Sequence, residues 1–352
     1  VVVINPLNGE ILAATSHPDY NPNLFAGGIL PENWKVLSQD YRHPLQNRVI
    51  QSQYPPGSVY KLVTATAGLA EGVIDRNSSF ICRGHYWFGG RFYRCWKKGG
   101  HGKVSVHRAI VESCDIFFYQ LGEMLGIDTI ARYARKLGLG RQTGLGLPGE
   151  WSGLIPDSVW KKKVRGEIWY PGETLSASIG QGYNLVTPIQ GAVLISAIAN
   201  GGDIYRPMLV RSVVSPEGKV IEEFYPEKLS QAEIRPWVLE VVRKGMKGAV
   251  NEAHGTGWRA RLEQVEVAGK TGTAQVIRMG VDEEEKELEE IPEKFRDHAW
   301  FGCYAPAEDP RVVIVVLMEH GGHGGSASAP VAAEILKEMV RKNYFGSTDG
   351  ES

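Results

Sequence analysis

Twelve consecutive residues at 59–70, Val-Tyr-Lys-Leu-Val-Thr-Ala-Thr-Ala-Gly-Leu-Ala, carry a single charge, that of Lys61. A helix with no polar face has to be covered on every side. The fold must therefore close a core around this segment and take a lysine inside it. Pro55-Pro56-Gly57 breaks the chain just upstream and sets Ser58 at the start of the helix. Ser58 and Lys61, three residues apart, then share one face at the helix N-terminus. At 352 residues and 43% hydrophobic content, the chain is long enough for one large core or two fused lobes.

The pattern along the chain predicts an α+β (α/β) fold. Residues 1–5 and 10–16 read as two strands joined by a turn at 6–9, a hairpin. Near the other end, 312–318 is a near-continuous apolar run typical of a buried strand, and 263–276 and 298–304 read as two more. Helical periodicity follows over 329–342 through Val331, Ile335, Leu336 and Met339. An antiparallel sheet built from both chain ends and flanked by the C-terminal helix is the expectation. The middle is helix-rich, including 59–70, 106–112, 116–125 and 188–199, so a helical lobe lies against the sheet with a cleft at the junction.

A formal net charge of -1 provides no basic field for nucleic acid, which is not expected as a partner. No stretch approaches the ~20 apolar residues of a membrane span, so the chain reads as soluble. It opens at Val1 inside a strand-like run and without Met, as a fragment of a longer protein would. The segment 282–293 holds eight acidic residues against one Lys and reads as a solvated loop between strands.

Three short motifs carry chemistry. In the first, Ser58-x-x-Lys61, burial disfavours the ammonium, so Lys61 is suited to accept the Ser58 proton, while helix N-terminal amides favour developing negative charge. The second is Ser113-Cys114-Asp115, between two helical segments; Asp115 also reads as a plain N-cap and Ser113 as a loop hydroxyl. The third, Lys270-Thr271-Gly272-Thr273, sits on a strand between Gly269 and Ala274, where small residues admit a ligand backbone; a plain edge strand is its bland reading. Each alone is weak. In this order they form the S-x-x-K, S-x-D/N, K-T-G signature of serine β-lactamases and penicillin-binding proteins.

With these motifs the chain resembles the class B penicillin-binding proteins, most closely their penicillin-binding protein 2 branch. The likeness extends to Asn5-Pro6-Leu7-Asn8-Gly9-Glu10, to the run from Ser16 through Asn23, to Trp169-Tyr170-Pro171-Gly172-Glu173-Thr174, to Ile179-Gly180-Gln181-Gly182-Tyr183, to Thr187-Pro188 and to His298-Ala299-Trp300-Phe301. It implies a β-lactamase/transpeptidase-like fold in which 1–352 is one transpeptidase domain. The sheet lobe takes residues 1–20 and 263–345, the helical and inserted middle 50–262, and the membrane anchor and pedestal lie upstream of this chain. The implied reaction is D,D-transpeptidation. Ser58 attacks the bond between the two terminal D-alanines of a stem peptide, with Lys61 as general base, Ser113 as proton relay and Lys270 as a fixed positive charge. Thr271, Gly272 and Thr273 bind substrate, and the backbone amides of Ser58 and Thr273 form the oxyanion hole. Asp115 stands where many members carry Asn, which leaves its partner open.

An amine on a neighbouring stem peptide would complete the cross-link, and β-lactams would acylate Ser58 by the same route. The resemblance also implies a membrane glycosyltransferase as partner, reached through the missing N-terminal region, and a periplasmic location with an inner-membrane anchor. A β-lactamase reading lacks an E-x-x-x-N element to activate water. A D,D-carboxypeptidase, differing only in the acceptor, and a non-catalytic penicillin-sensing domain stay open.

Cys82, Cys95, His101 and Cys114 follow the spacing C-x12-C-x5-H-x12-C, with glycines at 99, 100 and 102 available for a tight loop. Structural zinc favours such a Cys3His set, although the spacing is not that of a standard finger. A Cys82–Cys95 disulfide and a buried free Cys114 are the other readings. The penicillin-binding protein 2 resemblance implies zinc at this place. Cys303, in a strand-like run, reads as a core residue.

Overall fold

The computed structural model describes residues 1–276 and 291–346. Its main sheet has five antiparallel strands in the order Ala268–Ala274, His298–Ala305, Val312–Met318, Val2–Ile4 and Ile11–Ala14, so both chain ends do meet in one sheet. The unbroken apolar run of Val312–Met318 is explained by its central place, since both of its faces are covered. Val313 and Val315 point into the core shared with the helical lobe, while Val312, Ile314 and Val316 point the other way onto the C-terminal helix Ser328–Arg341. Helix Pro188–Ala199, buried along its whole length, fills the space between sheet and lobe. Its start is held by a capping box in which Thr187 and Gln190 satisfy each other's backbone amides.

The charge-poor segment at 59–70 lies, as its composition requires, among helices. Lys61–Ala70 packs against Asp115–Leu125, Ile127–Lys136 and Pro236–Asn251. Its opening differs from the expected uniform helix. Gly57–Tyr60 is a turn of 3-10 helix and the α-helix proper begins at Lys61, so Ser58 stands on the tighter turn. The cause is Gly57, whose φ of +52° interrupts regular α geometry. The strand expected over 263–276 is shorter, Ala268–Ala274, because Val265 and Val267 pack into the core before the ladder with His298–Ala305 begins. Residues 79–105 form two nested ribbons, Ser79–Cys82 with Gly102–Ser105 and His85–Phe88 with Arg91–Arg94. Of the acidic segment 282–293, residues 282–290 lie outside the described residues. No described helix is long and apolar enough to cross a membrane.

The edge strand Ala268–Ala274 meets the 3-10 turn almost without side chains between them. A Cβ added to Gly57 would lie 2.4 Å from the Thr273 carbonyl oxygen and 3.1 Å from its amide nitrogen. Gly57→Ala therefore combines a left-handed backbone with a collision against main chain, at a cost of about 1–3 kcal/mol from the conformation alone. A thermal melt should show Tm lowered by several degrees; an unchanged Tm would contradict this account of the contact.

Candidate active site and cysteine cluster

The three motifs meet at the junction of sheet and lobe. Ser58 is half-buried on its turn, whereas Lys61 and Lys270 are completely buried. Between helices Val106–Val111 and Asp115–Leu125 the chain reverses through Ser113, which takes a φ of +55° although it carries a side chain. The Cys114 amide donates to the Ala109 carbonyl at 3.0 Å and anchors this corner. Asp115 is not the N-cap of the second helix: Cys114 holds that position, and makes no side-chain cap. The carboxylate is used elsewhere.

Lys61 Nζ donates to Asp115 Oδ1 at 2.6 Å, to the Ser113 carbonyl at 2.9 Å and to Ser113 Oγ at 3.3 Å. Lys270 Nζ approaches from the sheet and donates to the same Ser113 Oγ at 2.9 Å and to the Thr271 carbonyl at 3.1 Å. The partner of Asp115 that the sequence leaves open is thus Lys61, in an ion pair removed from solvent. Such a pair balances a large desolvation cost against a strong attraction, and losing either partner leaves an uncompensated charge. Burial pushes Lys270 well below the usual lysine range, the Lys61 charge pushes it further, and Asp115 only partly opposes them. Both effects oppose the fixed positive charge expected of Lys270, and an anion arriving beside it would favour that charge.

Along the strand, Thr271 Oγ1 shares a 2.8 Å hydrogen bond with Thr256 Oγ1, and the Thr273 carbonyl accepts from Gln181 Nε2 at 3.2 Å. Thr256 escaped the sequence reading. A threonine between two glycines, fourteen residues before Lys270, has no local signature. Gln181 belongs to a stretch that the family likeness marks, but its contact appears only in the fold. Trp300 Nε1 donates to the Pro55 carbonyl at 3.1 Å and ties the second strand to the breaker ahead of Ser58.

Behind Ser113, Cys82, Cys95, His101 and Cys114 are all buried, and their ligand atoms lie within 4.8 Å of one another. Cys82 Sγ and Cys95 Sγ are each 3.5 Å from His101 Nδ1. None of the cysteines is bridged, Cys303 included, which sits in the core as expected. A hydrogen bond from the Cys114 thiol, with help from His101, pulls Cys95 down to about 3 despite its burial. The same bond, together with burial, raises Cys114. His101 Nε2 is buried without a hydrogen-bond partner, and the nearest carboxylate oxygen, Glu112 Oε2, is 3.8 Å away. Three sulfurs and one imidazole nitrogen are a soft donor set that suits tetrahedral Zn2+, and a carboxylate behind the second ring nitrogen is the usual outer support. The residues fit the metal.

The family model for the penicillin binding protein transpeptidase domain matches residues 1–337. Among curated proteins, the chain is 36% identical over 345 residues to the peptidoglycan D,D-transpeptidase MrdA of Haemophilus influenzae, covering 96% of this chain and 52% of that protein. It thus spans about half the length of the curated relative. Among solved structures it is similar to penicillin-binding protein PBP2 of Helicobacter pylori in complex with MreC, with a TM-score of 0.86 and 32% identity over 97% of this chain and 60% of that one. It is also similar to the ceftriaxone acyl-enzyme complex of penicillin-binding protein A from M. tuberculosis, with a TM-score of 0.80 and 30% identity over 96% of this chain and 72% of that one. The converging motifs and these matches agree: the chain belongs to the penicillin-binding protein transpeptidase domain family.

Proposed function

We propose that this chain is the catalytic domain of a peptidoglycan D,D-transpeptidase of the penicillin-binding protein 2 kind. The convergence of Lys61 and Lys270 on one hydroxyl, that of Ser113, carries the reading. Two amines joined through a hydroxyl can exchange a proton without solvent. When the C-terminal carboxylate of a stem peptide settles at Thr271 and Thr273, it favours the ammonium of Lys270. A proton then passes from Lys61 through Ser113 Oγ to Lys270, leaving Lys61 as the free amine. Lys61 takes the Ser58 proton as Ser58 Oγ bonds to the carbonyl carbon of the penultimate D-alanine, and the backbone amides of Ser58 and Thr273 hold the oxyanion. Collapse breaks the peptide C–N bond; the proton returns by way of Ser113 to the leaving nitrogen and free D-alanine departs. An acceptor amine then attacks the ester and loses its proton to Lys61, which passes it to Ser58 Oγ as the ester C–O bond breaks, releasing Ser58 with the cross-link made. Gly272 has no side chain to collide with Trp300, Pro56 and Val59, which lets the strand lie close against the turn that carries Ser58.

Asp115 keeps Lys61 in register through the cycle. Cys82, Cys95, His101 and Cys114 would hold one structural zinc ion, which with four protein ligands supplies no open position and so contributes folding energy rather than bond cleavage. The relatives' additional length is where we place a membrane anchor and the contacts with a polymerising glycosyltransferase or an MreC-like partner. That arrangement puts this domain in the periplasm, outside the inner membrane.

Three outcomes test the reading. Intact mass after exposure to a penicillin should increase by one acyl group, mapping to Ser58; an adduct persisting in Ser58→Ala means another residue is the nucleophile. With a thioester substrate, replacing the C-terminal carboxylate by its amide should lower the saturated acylation rate by about tenfold or more, since a proton-transfer group is worth ~100-fold or more. In Lys270→Ala that carboxylate dependence should vanish, and equal saturated rates for acid and amide in the wild-type protein would discard the relay. Protein purified without added metal should contain about one zinc per chain, and a strong chelator should lower Tm by several degrees and slow acylation, with reductant alone having no effect. Absence of zinc together with an oxidised Cys82–Cys95 pair would rule the metal site out.

A further inference from the structure

Trp96 follows Cys95 directly and stands between the cysteine cluster and the catalytic corner. Its main-chain N–H donates to Asp115 Oδ2 at 3.0 Å, while the other carboxylate oxygen holds Lys61. Its indole Nε1–H is shared between the Glu112 carbonyl at 3.0 Å and the Ser113 carbonyl at 3.2 Å. These are the two peptide oxygens on either side of Ser113, the residue with the left-handed backbone. A side chain in that conformation persists only where its surroundings over-determine it. On its other side the ring lies edge to face with His101, centroids 5.4 Å apart. Yet Trp96 is 59% exposed, so apolar burial is not what keeps it in place. A tryptophan that leaves its ring in solvent and turns its one polar edge inward, onto the carbonyls of a strained catalytic turn, is placed for its N–H.

We infer that Trp96 is a positioning residue for acylation: its indole N–H clamps the left-handed turn at Ser113 and its main-chain N–H aims Asp115 at Lys61, which keeps the Ser113 hydroxyl between the two lysines. The inference rests on the proposed roles of Ser58, Lys61, Ser113 and Lys270. It adds a residue that touches neither the substrate's reacting bond nor any group that gains or loses a proton.

Trp96→Phe removes the N–H and retains a ring against His101; Trp96→Leu removes both. Acylation by a chromogenic cephalosporin, followed over a range of concentrations, separates non-covalent affinity from the acylation rate constant. In both variants the rate constant should fall by about tenfold, the scale of losing a hydrogen bond that holds a catalytic group, with affinity changed by less than about twofold. Tm and metal content should match the wild-type protein. A wild-type rate constant in Trp96→Phe with a defect confined to Trp96→Leu would overturn the proposal in favour of ring packing. A loss of affinity alone would overturn it in favour of direct ligand contact, and a fall in metal content or Tm that accounts for the rate would reduce Trp96 to a structural part of the loop. Wild-type protein assayed in parallel keeps the readings apart: if it does not acylate at Ser58, the assignment of the site fails, whereas normal wild-type acylation with an unaffected Trp96→Phe counts against Trp96 alone.

Discussion

A lysine ammonium taken wholly out of water is the constraint around which this site is arranged. Lys61 is buried on a helix that is itself covered on every side, and an unpaired charge there would cost several kcal/mol or force the group to neutralise. Asp115 supplies the counter-charge from the start of another helix, and Ser113 supplies a carbonyl and a hydroxyl from the corner just before it. For all three acceptors to reach one nitrogen, the chain has to turn sharply at Ser113, which is why a residue with a side chain occupies a conformation normally left to glycine. Lys270 then enters the same pocket from the sheet. With two amines and a single carboxylate in a low-dielectric space, proton position becomes sensitive to any anion that arrives.

The approach of sheet to lobe sets the other half of the site. The edge strand Ala268–Ala274 presents Gly272 and Thr273 to the 3-10 turn, and Gly57 lets the two backbones come within direct contact. Larger residues at this seam would separate the Ser58 amide from the Thr273 amide. Across the strand, the ladder with His298–Ala305 sets Trp300 opposite Gly272, and the Trp300 indole is bonded to Pro55. The same pairing that makes the sheet therefore holds the Ser58 turn against it. Main chain meets main chain at this seam, with the Gly57 side-chain position 2.4 Å from the Thr273 carbonyl oxygen, which leaves no room for a side chain there.

The inserted ribbons face a different problem. Two-stranded ribbons bury too little apolar surface to be stable by themselves, and here Ile81, Trp87 and Phe92 remain largely exposed. Val104 and Tyr93 reach the core, with Phe80, Tyr86 and Phe88 packed against it, and the polar fixed points are the buried group of Cys82, Cys95, His101 and Cys114 at the base and the Tyr93 hydroxyl, which donates to the Gly172 carbonyl at 3.0 Å. Because Cys114 is the middle residue of the Ser113–Asp115 corner, the base of the ribbons and that corner share one stretch of chain. Whatever holds the thiols together also holds Ser113.

Much of this was legible in the sequence, for reasons that are local. Proline and glycine before Ser58, a lone charge in an apolar helix, an unbroken valine-rich strand and the order of three motifs each reflect chemistry acting over a few residues, and they sufficed for the sheet built from both ends and for the three motifs that meet where it joins the lobe. The cysteine set was legible as a set because thiols and imidazole are rare and were spaced closely, although spacing could not distinguish a metal site from a disulfide. What only the tertiary structure decided is pairing across long separations. Asp115 read equally well as a helix cap until Lys61, fifty-four residues earlier, was brought to 2.6 Å. Thr256 and Trp96 have no signature at all, since a hydroxyl or an indole N–H acquires a role only from the acceptor that packing sets before it. The charge of Lys270 depends on burial and on Lys61, neither of which is written in the residues beside it. Residue type and short-range pattern determine which groups are available, and their protonation and partners follow from the low-dielectric space that the folded chain closes around them.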